Sequence, residues 1–165
     1  MKPLTGEASG WVLARVWLDA LEKTARDFFG TMPRMFAERG YEYASETYLR
    51  ILENEYGVKA TKASTIKEAV ESYIDVGIQG GLFYDRSQFV LKEVTVNRLE
   101  LNVLKCPYLN SCQDLLNGGI TVSNLTCAQI GCFKAAVKLL AGIDCMYRVD
   151  AFNTENGCQG VILKK

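Results

Sequence analysis

The spacing of apolar residues changes near the middle of this chain of 165 residues, and the change limits the folds open to it. In the first half, apolar residues recur three or four positions apart, which predicts helices over 11–29, 33–56 and 65–76. Two pairs of segments follow that are rich in β-branched residues or alternate apolar with polar residues. This pattern predicts strands over 88–97, 98–106, 143–152 and 158–164. A further helical pattern lies between the pairs and stops at Gly142. We therefore expect an α+β fold in a single domain, with N-terminal helices packed on an antiparallel sheet of about four strands.

The predicted helices carry most of the aromatic residues of the first half. The first helix has an apolar face made of Leu13, Val16, Trp17, Ala20, Leu21, Thr24 and Phe28. Such a stripe is more often part of a core than of a binding site. Because this helix is apolar on more than one face, Trp11 and Trp17 are alternatively candidates for the seam of a homodimer. In the third helix, Thr65 and Glu68 fit a capping box, and Gly77 is expected to end it.

The charge of the chain excludes some partners. The 19 basic and 19 acidic residues balance, which argues against nucleic acid or an anionic membrane held by bulk charge. We find no apolar run of the roughly 18 residues that a membrane span needs. The opening segment MKPLTGEASG lacks the apolar core of a signal peptide, and we expect a cytoplasmic, reducing location.

The chain has six cysteines and no histidine. Without histidine, Ser-His-Asp and Cys-His catalysis and histidine-ligated metals are excluded. All six cysteines lie between Cys106 and Cys158. Buried free cysteine behaves as a small apolar residue, so the cysteines either pack in the core, take part in redox chemistry or bind a metal.

The cysteine-bearing half resembles a known family. The pattern comprises CPY at Cys106, the helix CAQIGCFKAAVKLLAG and the segment NGCQGVI around Cys158. It resembles the 4-vinyl-reductase domain family of small-molecule or hydrocarbon-binding domains, and it is similar to proteins described as L-2-amino-thiazoline-4-carboxylic acid hydrolase-like. The resemblance implies a small-molecule-binding domain over 30–165, preceded by a helical extension over 1–29. It also implies helices packed on an antiparallel sheet.

Some relatives of this family bind a structural zinc ion, and the resemblance implies ligands for it here. The helix cysteine corresponds to Cys127 or Cys132, the carboxylate to Asp150 and the last cysteine to Cys158. The remaining ligand falls on Asn153, which departs from the pattern.

Spacing gives a second estimate of the metal site, because zinc takes four tetrahedral ligands. Residues five positions apart on a helix are offset by about 140°, so Cys127 and Cys132 can share a metal only if Cys127 lies at or before the helix start. We expect Cys106, Cys127, Cys132 and Cys158 as ligands, with Cys112 and Asp150 in reserve and Cys145 in the core. Such thiolates could also hold an iron–sulfur cluster, which is the less favoured alternative.

The family resemblance favours a non-catalytic module that binds a small apolar or aromatic molecule. The candidate pocket residues are Tyr73, Phe83, Tyr84 and Phe133. One alternative is a hydrolase or a reductase, with Cys106 or Cys132 as nucleophile, or a metal-bound water assisted by Asp150 or Glu155. The other alternative is a homodimeric interaction protein.

Overall fold

The computed structural model describes residues 6–29 and 34–165, except for the side chains of 6–9, 11, 19 and 29. Its α-helices are α1 (Gly6–Phe29), α2 (Arg34–Tyr56), α3 (Ile66–Gln79), α4 (Leu109–Asn117) and α5 (Ala128–Ala141). Its strands are β1 (Phe89–Thr95), β2 (Arg98–Val103), β3 (Cys145–Asn153) and β4 (Gly157–Lys164). Three helices, a strand pair, two helices and a second strand pair confirm the predicted α+β order.

The strands form one antiparallel sheet in the order β1-β2-β4-β3. Each sequence-adjacent pair is a hairpin, and the two hairpins join where β2 pairs with β4. Val103 at the end of β2 lies opposite Phe89 on one side and Cys158 on the other. This register brings the last strand, with its cysteine, next to the end of the first hairpin.

Helix α5 is the interior helix, and it packs against α2, α3 and the strands β3 and β4. Eleven of its 14 residues are buried. Among them is Lys134, whose ammonium lies 3.0 Å from a Glu42 oxygen and 3.7 Å from a Glu38 oxygen on α2. A buried charge is costly without partners. The two carboxylates compensate the Lys134 ammonium and so make its burial on α5 possible.

The centre of the core is aromatic. Phe133 of α5 makes edge contacts with Tyr73 of α3, Phe83 and Phe89, at ring-centroid distances of 5.5 to 6.3 Å. Gly77 lies inside α3, which continues to Gln79, so the prediction that Gly77 ends the helix is wrong. A Cβ at position 77 would lie 2.3 Å from the Phe83 ring. The glycine is thus required by the close approach of Phe83 to the helix and not by a helix end.

The apolar stripe of α1 faces outward. Leu13, Trp17 and Leu21 are more than half exposed, whereas Glu22 and Ala25 on the opposite side are buried. On that inner side, the hydroxyl groups of Tyr41 and Thr126 donate hydrogen bonds to the Glu22 carboxylate. The side chain of Trp11 lies outside the described residues.

Two further expectations concern the chain as a whole. Across residues 6–29 and 34–165, none of the helices has the length and apolar character needed to cross a membrane. The predicted domain boundary between residues 29 and 30 falls beside residues 30–33, which lie outside the described part. The division into an extension and a domain therefore stays a prediction.

Gly157 at the start of β4 provides a test of the sheet register. Its φ is +81°, and a Cβ there would lie 1.8 Å from the Val103 carbonyl oxygen. Gly142 after α5 has a similar φ of +68°, with open space around it. We expect Gly157→Ala to lower the free energy of unfolding by about 3 kcal/mol or more, against about 1 kcal/mol for Gly142→Ala, because only the first adds a clash to backbone strain. Urea unfolding of both variants measures the difference, and equal losses would contradict the register.

Candidate functional site

A cavity of about 190 Å³ lies between α1 and α2. We call it the α1–α2 cavity. Its lining residues are Leu18, Leu21, Glu22, Ala25, Phe36, Ala37, Gly40, Tyr41 and Ala44. The lining is apolar except for one carboxylate and one phenol, which is the composition typical of a small-molecule pocket.

Small residues keep this cavity open. Ala25 of α1 and Ala37, Gly40 and Ala44 of α2 leave the space between the two helices unfilled. A Cβ built at Gly40 meets no atom within 4 Å. Glycine inside a helix costs roughly 0.5–1 kcal/mol relative to alanine, and here it leaves space that a larger side chain would occupy.

A hydrogen-bonded group of three buried side chains lies at the cavity wall, and two of its members, Glu22 and Tyr41, line the cavity. The hydroxyl groups of Tyr41 and Thr126 both donate to Glu22 Oε1 at 3.0 Å, and they lie 2.6 Å from each other. All three residues are at least 93% buried. Burial, and then the Glu22 charge, raise the pKa of Tyr41 well above its usual value, so its phenol stays protonated. The group joins α1, α2 and the residue before Cys127.

Close packing of α2 on α5 positions Tyr41. A Cβ at Gly131 of α5 would lie 2.2 Å from the Tyr41 ring, so the glycine allows the ring to lie directly on the helix. Tyr147 of β3 donates a hydrogen bond to the Thr126 carbonyl oxygen. The packing on α5 therefore positions Tyr41, and the hydrogen bond from β3 positions Thr126. These are the two residues whose hydroxyl groups donate to Glu22.

Cys127 is the N-cap of α5 and has a φ of +47°, a left-handed conformation that is rare outside glycine. Its position directly before the helix is the one that the sequence required for sharing a metal with Cys132. Its Sγ lies 3.6 Å from Cys158 Sγ and makes no hydrogen bond that caps the helix. The contact with Cys158 lowers the pKa of Cys127 and raises that of Cys158.

Four buried thiols lie near one another at this end of α5. Each pair among them interacts electrostatically, and we call the group the thiol cluster: Cys106, Cys112, Cys127 and Cys158. Cys132, which the sequence predicted as the fourth ligand, lies beside Ser45, whose hydroxyl donates a hydrogen bond to the Cys132 carbonyl oxygen. Burial raises the pKa of Cys132 to about 11. Cys132 also interacts electrostatically with Cys106 and Cys127, so it lies beside the thiol cluster, which Cys112 joins.

The described residues do not form a ready metal site. Among their Cys, Asp and Glu side chains, no group of three or more is spaced to hold a metal ion. The ligands implied by the family resemblance are also not assembled. Asp150 is exposed and pairs with Arg148, and the Asn153 side-chain oxygen accepts a hydrogen bond from the Glu155 backbone. The residues present do not fit a preformed zinc site.

The predicted ligand-binding residues separate into two groups. Tyr73, Phe83 and Phe133 pack together in the core. Tyr84 is 83% exposed and borders a separate cleft of about 560 Å³ beside Cys106 and Lys105. Their role as ligand contacts stays a prediction.

Sequence reasoning missed Glu22, Gly40 and Tyr41. The available signals were Leu18, Glu22 and Ala25 at helical spacing opposite the apolar stripe, and a glycine within a helical segment. Neither signal reveals a cavity, because the cavity depends on which face of α1 meets α2.

The residues proposed for catalysis are not arranged as a nucleophile and base. Cys106 and Cys132 are each 8% exposed. Burial raises the pKa of both thiols, which disfavours the nucleophilic thiolate. Asp150 is exposed and paired with an arginine, and Glu155 lies in the turn between β3 and β4.

Comparison with known proteins gives one similar fold. No family model matches the chain, and no curated protein matches it. The structure is similar to the crystal structure of the phenol-responsive sensory domain of the transcription activator PoxR with phenol. The TM-score is 0.59 at 14% sequence identity, and the match covers 91% of this chain and 73% of that chain. At this identity the likeness shows the fold, which is the one that the family resemblance implied.

Proposed function

We propose that this chain binds a small, largely apolar aromatic molecule in the α1–α2 cavity. The observation that carries the proposal is the apolar cavity of about 190 Å³ with a buried carboxylate in its wall. An engineered apolar cavity of about 150 Å³ is large enough to bind benzene, so this one has room for a single substituted ring. The similar fold of a phenol-responsive sensory domain supports the same class of ligand.

Glu22 provides the polar contact of this proposed site. A carboxylate is a strong hydrogen-bond acceptor, and a bond to an ionised group is stronger than one between neutral groups. Glu22 is buried, and a hydrogen bond is stronger in such a less polar environment than in water. We therefore infer that the site prefers an aromatic ring carrying a hydroxyl group.

Filling the cavity tests where the ligand binds. We expect Gly40→Leu to weaken phenol binding at least tenfold, because the new side chain projects into the α1–α2 cavity. Gly10→Leu is the matched control, since Gly10 also lies in a helix with open space around it but does not line the cavity. Isothermal titration calorimetry with phenol measures both variants. Unchanged binding by Gly40→Leu would place the ligand elsewhere.

Replacing the carboxylate tests the polar contact. We expect Glu22→Gln to lower the affinity for phenol severalfold and to leave that for toluene within about twofold, because only phenol can donate to position 22. Toluene has nearly the same size and serves as the control ligand. Equal losses for both ligands would show that the substitution changes the cavity as a whole.

Zinc binding through Cys106, Cys127, Cys132 and Cys158 is a separate proposal. The 3.6 Å separation of the Cys127 and Cys158 sulfur atoms supports it. Binding would require the sulfur atoms to move closer together than they lie in the structure.

Elemental analysis combined with a thiol count tests the zinc proposal. We expect one zinc per chain, no thiol open to reagents in the folded protein because all six cysteines are buried, and six reactive thiols after unfolding with chelator. A zinc-free protein with six reactive thiols after unfolding would return the cysteines to a packing role. A brown protein containing iron would indicate a cluster instead.

A further inference from the structure

Helix α1 exposes an apolar stripe along its outer face. Its members recur at helical spacing: Leu13, Val16, Trp17, Ala20, Leu21, Thr24 and Phe28. Trp17 is 61% exposed and Leu13 is 58% exposed. An exposed apolar surface of this kind marks an interaction site.

We propose that this stripe is the interface of a homodimer, in which α1 packs antiparallel on α1 of a second copy around a two-fold axis near residues 20 and 21. A two-fold interface uses the same patch on both copies, so the patch must be complementary to itself.

The sequence of the stripe has this self-complementarity. With the axis between Ala20 and Leu21, Ala20 of each copy faces Leu21 of the other copy. Trp17 then faces Thr24 of the second copy, and Leu13 faces Phe28 of the second copy. The bulkiest side chain, that of Trp17, therefore meets the small side chain of Thr24. At the centre, the methyl group of Ala20 meets Leu21. Each contact is made twice because of the symmetry.

The area of the stripe suits a dimer. With the larger side chains at roughly 150–250 Å² each when fully exposed, the stripe offers about 600 Å² per copy, which is most of the ~800 Å² that a standard interface buries per partner. Phe36 of α2 is 51% exposed and can add to the interface. The formal net charge of the chain is zero, so bulk charge does not oppose association of two copies.

Sedimentation equilibrium of the full chain tests the dimer. We expect the wild-type protein to be dimeric at about 10 µM, and Leu13→Glu and Trp17→Glu to weaken association at least 100-fold, because each buries a charge twice in the interface. Tyr56→Glu is the control, since Tyr56 is also an exposed aromatic residue, 69% exposed, at the end of α2. Circular dichroism checks that the variants remain folded. A monomeric wild type at about 100 µM, or a dimer unaffected by both stripe variants, would overturn the proposal.

Crosslinking tests the antiparallel register. The native cysteines are all buried, so one new surface cysteine supplies the reactive thiol. A short bismaleimide should link Ala20→Cys to itself across the axis. It should not link Leu13→Cys to itself, because these positions lie ~22 Å apart along antiparallel helices. A mixture of Leu13→Cys and Phe28→Cys should crosslink. Efficient self-linking of Leu13→Cys would indicate parallel helices and would overturn the proposal.

These tests are independent of the ligand proposal. Leu21 of the stripe and the neighbouring Phe36 both line the α1–α2 cavity, so neither is changed in these tests. Trp17 and Leu13 do not line the cavity. A variant that loses the dimer but still binds phenol would separate the two proposals. So would a variant that loses phenol binding but remains dimeric.

Discussion

Burial of α5 on nearly all sides is the constraint on which the rest of this structure depends. The sheet covers one side of the helix, and α2 and α3 cover another, so its side chains must satisfy several neighbours at once. Phe133 meets aromatic rings from α3, β1 and the connection between them. Gly131 allows the Tyr41 ring to lie on the helix. Lys134 is tolerated only because two carboxylates of α2 reach it.

The N-terminal end of α5 brings the two candidate sites together. Thr126 donates a hydrogen bond to Glu22 at the α1–α2 cavity, and the next residue, Cys127, contacts Cys158 in the thiol cluster. Cys127 has a left-handed φ of +47°. A non-glycine residue in this conformation costs about 1–2 kcal/mol, which the contacts on both sides of it must offset. Neighbouring residues thus belong to two different sites because the chain turns sharply at this point.

The candidate site shows how far local patterns reach. The sequence required Cys127 to lie at or before the start of its helix if it is to share a metal with Cys132, and Cys127 is the residue directly before α5. The site of Cys106, Cys127, Cys132 and Cys158 stays a prediction. The sequence named Cys112 only as a reserve ligand, and Cys112 joins the thiol cluster from the short helix α4. It also did not predict the Glu22 carboxylate beside Tyr41 and Thr126, because these residues are 19 and 104 positions away from it.

The sequence by itself determined the order of helices and strands, because apolar periodicity is a local property that each segment carries. It also determined the chemistry available, since a chain without histidine and with six cysteines offers a restricted set of groups. Only the tertiary structure decided which face of α1 is buried. The apolar stripe would favour burial by itself, but hydrogen bonds from Tyr41 and Thr126 hold Glu22 inward. The same long-range contacts leave the cavity between α1 and α2 and expose the stripe, and no local pattern contains that information.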